Sequence, residues 1–464
     1  MTNRLDEEIR SALGSMIAEA PQPMELDQLA MQAAIAAVPR QRRSPVSAIA
    51  VGFVTVVVVV GGISLLALPR NDGAVSLTTV PADAPVAATT PPPGLLTSSS
   101  WSRVPQDETV FGGDGEQKMF GVTVGGPGLV AVGSAVWTSP DGTTWSRVPY
   151  NEAVFGGGAE MSSVTVGGPG LVAVGGDDDG DAVVWTSPDG VSWTRVFHDE
   201  AVFGGATMRS VTVGGPGLVA VGSDGGAQSE SSNAVVWTSP DGIDWSRVPH
   251  NEGVFGGPAY RVGVDGAHVG MRSVTAGGPG LVAVGWDWPH AAVWTSPDGI
   301  TWSRVTHDKA LQSASCSPPS GSCFDGAVGL GMSSVTVGGP GLVAVGDAGH
   351  PDSENGVVWT SVDGISWSRV PYNEAVFGGG AGMSSVTVGG PGLVAVGAYG
   401  SPDGGDAAVW TSVDGITWSR VPYSEAVFGG AQLGMSSVIV GGPGLVAVGV
   451  ADTDAAVWTT TAED

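Results

Sequence analysis

The chain has 464 residues, including 75 glycines, and a formal net charge of −27. Residues 1–70 contain as many arginines as acidic residues, so the negative excess belongs to the rest of the chain. Such a surface disfavours nucleic acid and anionic lipid as partners. The glycines recur at regular intervals beside valine and tryptophan, which is typical of repeated turns rather than of disorder.

Residues 1–45 predict a cytoplasmic tail with two short helices, at about 5–19 and 24–38. Pro21 and Pro23 separate the two helical stretches. The tail contains no cysteine or histidine, which excludes a zinc-stabilised form. We interpret it as an amphipathic or partly disordered segment. The alternative is a docking element for a cytoplasmic partner, which would make the protein a transmembrane sensor.

Residues 46–68 predict a transmembrane helix, because the run is almost wholly apolar and carries no charge. A cleaved signal peptide, which is the alternative, would have a shorter apolar core and a shorter leading region. Arg40, Arg42 and Arg43 outnumber Arg70, so the N-terminus is expected in the cytoplasm. We therefore predict a cell-membrane protein with a single-pass anchor and its repeats outside the cytoplasm.

Residues 69–99 are rich in alanine, proline and threonine and include three consecutive prolines, Pro91 to Pro93. A segment of this composition cannot bury enough apolar surface to fold. It predicts an extended stalk that holds the following domain away from the membrane.

After the stalk, three phrases each recur seven times. The phrase GGPGLVAVG begins at Gly125, Gly167, Gly214, Gly277, Gly338, Gly389 and Gly441. The tryptophans of a V-W-T phrase are Trp137, Trp185, Trp237, Trp294, Trp359, Trp410 and Trp458. Those of a W-[ST]-R-V phrase are Trp101, Trp145, Trp193, Trp245, Trp302, Trp367 and Trp418. A period of roughly fifty residues with short β-rich segments is typical of a β-propeller.

The order of the phrases predicts how the ring closes. The series opens with a lone WSRV at Trp101–Val104 and ends with a lone AVWTT at Ala456–Thr460. If the first strand completes the last blade, few strand edges stay free. We therefore predict an all-β domain over residues 100–464. It is a seven-bladed β-propeller with four-stranded blades closed by an N-terminal strand, and it follows the transmembrane helix and the helical cytoplasmic tail.

The second copy indicates how one blade is built. Polar and apolar residues alternate up to Val166, which predicts a strand, and the following GGPG predicts a tight turn. The second and third strands are predicted at Leu171–Val174 and Ala182–Thr186. The turn Ser187-Pro188-Asp189-Gly190 then leads into a fourth strand that contains Trp193 and Arg195.

This last turn resembles the Asp-box, or BNR, repeat of sialidase-like propellers, with one residue fewer between Asp and Gly. The matching phrases run from Ser139 to Trp145, Ser187 to Trp193, Ser239 to Trp245, Ser296 to Trp302, Ser361 to Trp367 and Ser412 to Trp418. In that family the box closes the hairpin between the third and fourth strands. The resemblance implies a propeller, and because the box is a folding element it implies no catalysis by itself.

Sialidase activity would require three arginines, a tyrosine nucleophile with a partnering glutamate, and an acidic aspartate. Outside the repeated positions the propeller offers Arg209, Arg261 and Arg272, and two of these replace a serine found in other blades. No glutamate lies near a suitable tyrosine in a unique loop. We therefore predict a non-catalytic protein with no catalytic residues and no cofactor; a sialidase-like glycoside hydrolase is the alternative.

Chain spacing predicts which face of the propeller binds. The distances within GGPGLVAVG and from each V-W-T tryptophan to the next W-[ST]-R-V tryptophan are constant. The loops between the second and third strands and the links between blades vary in length. Both variable sets lie on one face of a propeller, so we expect binding on that face. We call it the variable face and the opposite one the uniform face.

The strongest irregularity surrounds the fourth GGPG copy, where two loops contain aromatic and charged residues outside the repeat pattern. The candidate ligand-binding residues there are Tyr260, Arg261, His268, Trp286, Asp287, Trp288 and His290. Aromatic rings beside a carboxylate and an imidazole suit stacking on sugar rings or anchoring of a protein. We therefore predict a glycan or a cell-envelope protein as ligand. The alternative is that the tryptophans only cover a blade edge.

Cys316 and Cys323 are the only cysteines of the chain. Outside the cytoplasm such a pair predicts a local disulfide that constrains the loop between them.

Asp177, Asp178, Asp179 and Asp181 are a candidate calcium site, because carboxylate oxygens are the ligands that calcium prefers. The run matches no full EF-hand loop, and a solvated acidic loop is the alternative.

Overall fold

The computed structural model describes the propeller. The described residues are Leu96, 100–113, 115–225, 231–257, 268–306, 309–312, 329–349, 355–401, 404–430 and 432–460. The predicted tail, the predicted anchor at 46–68 and all of the predicted stalk except Leu96 lie outside this set. No helix among the described residues is long and apolar enough to cross a membrane.

The described residues form 28 strands and six four-residue helices. The strands are β1 Trp101–Arg103, β2 Met119–Gly125, β3 Gly128–Gly133, β4 Val136–Ser139, β5 Ser146–Arg147, β6 Glu160–Gly167, β7 Gly170–Gly176, β8 Ala182–Ser187, β9 Thr194–Arg195, β10 Ala206–Gly214, β11 Gly217–Asp224, β12 Ala234–Ser239, β13 Ser246–Arg247, β14 Val269–Gly277, β15 Gly280–Asp287, β16 His290–Ser296, β17 Ser303–Arg304, β18 Gly329–Gly338, β19 Gly341–Gly349, β20 Asn355–Ser361, β21 Trp367–Arg369, β22 Ala381–Gly389, β23 Gly392–Ser401, β24 Gly404–Ser412, β25 Trp418–Arg420, β26 Gly434–Gly441, β27 Gly444–Ala451 and β28 Asp454–Thr460. The helices are α1 Glu108–Phe111, α2 Glu152–Phe155, α3 Glu200–Phe203, α4 Glu252–Phe255, α5 Glu374–Phe377 and α6 Glu425–Phe428.

Within the described ranges, the strands form seven four-stranded antiparallel sheets, which are the blades of a propeller. Blades 1 to 6 each use four consecutive strands, beginning with β2–β5, and blade 7 joins β26, β27 and β28 to β1. In that last sheet Trp101 lies opposite Thr460, and Arg103 lies opposite Trp458. The predicted seven-bladed ring, closed by its N-terminal strand, is confirmed.

The core lies between neighbouring blades and explains why the second strand reads LVAV without polar interruption. Leu171 and Ala173 pack into the cluster shared with blade 1, while Val172 and Val174 pack into the cluster shared with blade 3. A strand that is buried on both faces has no solvent side, so its apolar run is continuous. Trp185 in the next strand is fully buried, and its Nε1 donates to the carbonyl of Val154 at 2.8 Å.

The uniform face is built from the GGPG turns and the S-[PV]-D-G turns. Asp189 Oδ1 accepts from the backbone N–H groups of Val191 and Ser192 at 2.9 and 2.6 Å. These bonds stabilise the carboxylate and lower the pKa of Asp189 to about 2. Gly168 has a φ of 56°, and a Cβ there would lie 2.4 Å from the Asp241 carbonyl oxygen of the next blade. The two turns therefore join adjacent blades.

The links between blades on the variable face differ in length, but most of them begin with the same short structure. In blade 2, Asn151 caps α2 by accepting from Ala153 N–H at 3.1 Å, and α2 supplies the carbonyl that receives Trp185. Equivalent four-residue helices follow most blades. The link after blade 4 instead presents the Ala310 carbonyl to Trp359 at 2.8 Å. Each link therefore first supplies a carbonyl for a buried indole, and the sequence diversity comes after it.

The chain reaches the propeller at the uniform face. Leu96 is partly buried against the core cluster of blade 7. Its side chain lies close to Gly390, which belongs to the GGPG turn of blade 6. The strand β1 then runs from this face toward the variable face, where α1 follows it.

Candidate functional site

The predicted ligand-binding residues of blade 4 do not share one environment. Tyr260 and Arg261 lie outside the described residues. His268 immediately precedes β14, Trp286 and Asp287 end β15, and His290 begins β16. All of the described ones therefore lie at the variable end of blade 4, as the chain spacing predicts.

Trp288 is the most exposed of this group, with 43% of its surface accessible. Its backbone N–H donates to the His268 carbonyl at 2.9 Å, which fixes the loop between β15 and β16. The indole packs so closely on Gly329 at the start of blade 5 that a Cβ there would overlap the ring. Trp288 thus covers a neighbouring strand with one part of its ring and leaves another part accessible.

Asp287 and His290 do not share that exposure, because both are buried. Asp287 forms an ion pair with Arg304 of the same blade. Asp177 and Arg195 make the equivalent pair in blade 2 at 2.8 Å. Burial raises the pKa of Asp287 to about 6 although Arg304 opposes the shift. Burial and Arg304 also lower the pKa of His290. Asp287 is therefore engaged by Arg304 within blade 4.

Trp286 links blade 4 to the centre of the propeller. Its ring centroid lies 5.6 Å from the guanidinium carbon of Arg209 and 4.9 Å from that of Arg272. These distances are typical of cation–π contacts. The indole also lies over Gly270, where a Cβ would overlap it. Trp286 is therefore held beside two arginines of the innermost strands.

Both arginines occupy a β-bulge that recurs in the innermost strands. In blade 3 the pairing register shifts between Met208 and Ser210, and Arg209 is the extra residue. An unpaired bulge residue is aimed away from the ladder. The seven residues at this position are Phe120, Ser162, Arg209, Arg272, Ser333, Ser384 and Ser436.

These bulge residues line a cavity of about 850 Å³ at the mouth of the central channel on the variable face. We call this cavity the channel mouth. Residues one position before the buried methionines also reach it or its neighbouring cavity of about 660 Å³. These are Lys118, Glu160, Thr207, Gly382 and Gly434. The mouth is therefore assembled from all seven blades, and its chemistry differs around the ring.

The charges at the channel mouth are unevenly paired. Arg272 donates to Ser333 Oγ at 3.3 Å and lies 4.0 Å from the carboxylate of Asp347. Removal from bulk solvent and repulsion by Arg272 lower the pKa of Arg209. Burial raises the pKa of Glu160, and the nearby Asp178 adds to that shift although Lys118 opposes it. Cations and carboxylates thus face the same cavity.

The predicted calcium residues are arranged differently from a cage. Asp177 is engaged by Arg195, as described, and also accepts from the backbone N–H of Asp181 at 3.1 Å. Asp181 instead approaches His198 Nε2 at 3.7 Å, and His198 lies 3.3 Å from Glu200. These three could offer ligand atoms within 4.8 Å of one another. The calcium site stays a prediction, and the predicted disulfide of Cys316 and Cys323 lies outside the described residues.

The comparisons with known proteins identify no family. No protein-family model matches the chain, and no curated protein matches it either. A crystal structure of a protein from Lactobacillus plantarum is similar over 66% of this chain and 84% of its own, with 11% identity and a TM-score of 0.43. That likeness carries no functional argument, so the site rests on its own geometry.

Proposed function

We propose that the chain is a membrane-anchored, extracytoplasmic binding module that holds a glycan on its variable face without catalysing a reaction. The resemblance of its SPDG turns to the Asp-box supports a role of those turns in folding. The anchor is residues 46–68, and a cell-envelope protein is the alternative ligand.

The observation that carries this proposal is the position of Trp286. Its indole packs against Arg209 and Arg272, and these two arginines line a cavity to which every blade contributes. Trp288 leaves 43% of its surface accessible on the same end of blade 4. Aromatic faces beside hydrogen-bonding cations are suited to sugar rings with polar substituents. A large, concave and polar mouth favours a glycan over a flat protein surface.

The point at which the chain enters the propeller also supports binding on the variable face. Leu96 contacts the uniform face, so a stalk that precedes it is attached there. Entry of the chain at the uniform face leaves the variable face free of the incoming segment, which the proposed binding there needs.

A glycan array tests the ligand class. We expect full-length protein in mild detergent to bind a subset of glycans, and the Trp286→Ala, Trp288→Ala double variant to lose that binding. Equal binding by both proteins would contradict the proposed site. If no glycan binds and photo-crosslinkers at the variable face capture a defined envelope protein, the ligand is a protein.

Membrane fractionation tests the anchor separately. We expect the full-length protein in the membrane fraction and a variant lacking residues 46–68 in the soluble fraction. If the full-length protein is released by salt or carbonate washing, the single-pass anchor is wrong.

A further inference from the structure

The channel mouth is chemically divided between two parts of the ring. Blades 5 to 7 contribute Ser333, Ser384 and Ser436 at the bulge position, which are small and neutral. Blades 3 and 4 contribute two guanidinium groups at this position, Arg209 and Arg272, and blade 2 contributes the carboxylate of Glu160 beside its own bulge serine. The fold does not require these charges, because serine occupies the bulge position of the two arginines in four blades and threonine occupies the position of Glu160 in blade 3. Their presence therefore points to a ligand.

The two arginines of the channel mouth can accept further anionic partners. Arg209 forms no ion pair with any residue that the structure describes, and its guanidinium is held by the Trp286 ring at 5.6 Å. Arg272 has a hydrogen bond to Ser333 and only a long approach to Asp347. Two neighbouring guanidinium groups repel each other, and an anion between them relieves that repulsion.

The acidic part lies on the adjacent blade. Glu160 and Asp178 line the same cavity as Arg209. Within the described ranges Glu160 has no ion pair, and Lys118, whose charge acts on Glu160, pairs with Glu116 at 2.8 Å. Glu160 and Arg209 therefore face one cavity without neutralising each other. A protonated amine between Glu160 and Asp178 would remove their mutual repulsion.

We infer that the channel mouth binds a zwitterion, with its carboxylate between Arg209 and Arg272 and its ammonium group at Glu160 and Asp178. A simple anion would meet the two carboxylates, and a simple cation would meet the two arginines, so only a ligand with both charges complements the whole mouth. This inference rests on the proposed function, because it names the chemistry of the ligand held at that same site. A free-ended peptide and an amino sugar with a carboxylate share this chemistry.

The chain itself supplies variants that should preserve the fold. Arg209→Ser introduces the residue that Ser162 provides at the same bulge in blade 2. Glu160→Thr introduces the residue that Thr207 provides at the corresponding position of blade 3. Tyr150→Phe is a matched control, because this exposed residue of the variable face does not line the channel mouth.

The experiment is calorimetric titration of the full-length protein in detergent with triglycine and, separately, with muramic acid. We expect at least one of them to bind at millimolar concentration. Each of the variants Arg209→Ser and Glu160→Thr should weaken that binding by about tenfold or more, since each removes a charge-assisted contact. Tyr150→Phe should bind as the unchanged protein does. N-acetyltriglycine and triglycinamide each lack one charge and should bind about tenfold more weakly than triglycine.

The two probes distinguish the sources of the zwitterion, since triglycine represents a peptide and muramic acid an amino sugar. Binding of neither probe overturns the inference. Binding that is unchanged by Arg209→Ser and Glu160→Thr, with both variants folded by circular dichroism, also overturns it. In either case, array binding that depends on Trp286 and Trp288 would leave the proposed function standing. Loss of that array result would instead remove the proposed function itself.

Discussion

The two faces of the propeller use similar residue types for different purposes. On the uniform face, carboxylates such as Asp189 accept backbone hydrogen bonds within their own turn, and glycines such as Gly168 allow the next blade to approach. On the variable face, Glu160 and Arg209 line an open cavity without pairing with each other. A charged group that completes a turn contributes to folding, whereas one left facing a cavity remains available to a ligand.

This difference explains why the repeated residues lie on one face of the propeller and the candidate binding residues lie on the other. Seven copies of one blade require the same joint between neighbours, so the turns that make the joint are constant. The channel mouth has no such shared joint, because its bulge residues line a cavity and their side chains differ from blade to blade. Substitutions should therefore affect stability on one face and binding on the other.

The largest loss of stability is expected when a large side chain is removed from the core between neighbouring blades. Trp185→Ala removes a fully buried indole and its hydrogen bond to Val154. We expect the free energy of unfolding to fall by about 3–5 kcal/mol, measured by chemical denaturation. Tyr150→Ala, at a side chain that is 65% exposed, should change it by no more than about 0.5 kcal/mol. Equal losses would contradict the assigned core.

Two glycines with left-handed backbone compare the faces directly. Gly168→Ala should lower the free energy of unfolding by more than about 2 kcal/mol, because backbone strain adds to a clash with the Asp241 carbonyl. Gly180 in the variable loop has a φ of 84° and no atom within 4 Å of a Cβ. Gly180→Ala should therefore cost only about 1–2 kcal/mol. If Gly180→Ala lowered the free energy of unfolding more than Gly168→Ala does, the expected difference between the two faces would be wrong.

Acidification should destabilise the protein through the aspartates in the turns of the uniform face. Backbone hydrogen bonds lower the pKa of Asp141, Asp189 and Asp363 to about 2 in the folded protein, below the ordinary value of 3.8. Their contribution to stability is therefore complete above pH 4 and is lost as the pH falls toward 2. Thermal melts between these limits should show the midpoint falling. The Asp189→Asn variant should show a smaller fall; an unchanged pH profile would contradict the role of these turns.

The smallest stability effect is expected at the channel mouth. Arg209→Ser should lower the free energy of unfolding by no more than about 1 kcal/mol, because serine occupies this bulge in other blades and the variant loses only the cation–π contact with Trp286. Denaturation of the variant beside the unchanged protein measures it. A loss comparable to that of Gly168→Ala would show that the arginine serves the fold.

Repetition made the architecture predictable. The lone WSRV beginning at Trp101 and the lone AVWTT ending at Thr460 indicated the closing strand, and these two residues face each other in blade 7. Strand positions followed from GGPG and V-W-T. The short helices were not predicted, because a four-residue helix such as α2 leaves no helical period to detect.

The site was less predictable because its members are separated in sequence. Arg209 and Arg272 were noted only as replacements of serine, although the bulge that aims them into the channel has a signal. Met208 and Val211 are both buried and three positions apart, which a regular strand does not allow. The burial of Asp287 also had a signal, since Asp177 and Asp224 occupy the same position after LVAVG.

The most direct test of the account measures glycan-array binding by the full-length protein and by one double variant for each face. The variable-face variant is Trp286→Ala, Trp288→Ala, and the uniform-face variant is Ile243→Ser, Ile300→Ser, which changes side chains that are 52% and 54% exposed. We predict that the first variant loses the glycans that the protein binds and that the second retains them. Retained binding by the first and lost binding by the second, with both folded, would contradict the assignment of binding to the variable face.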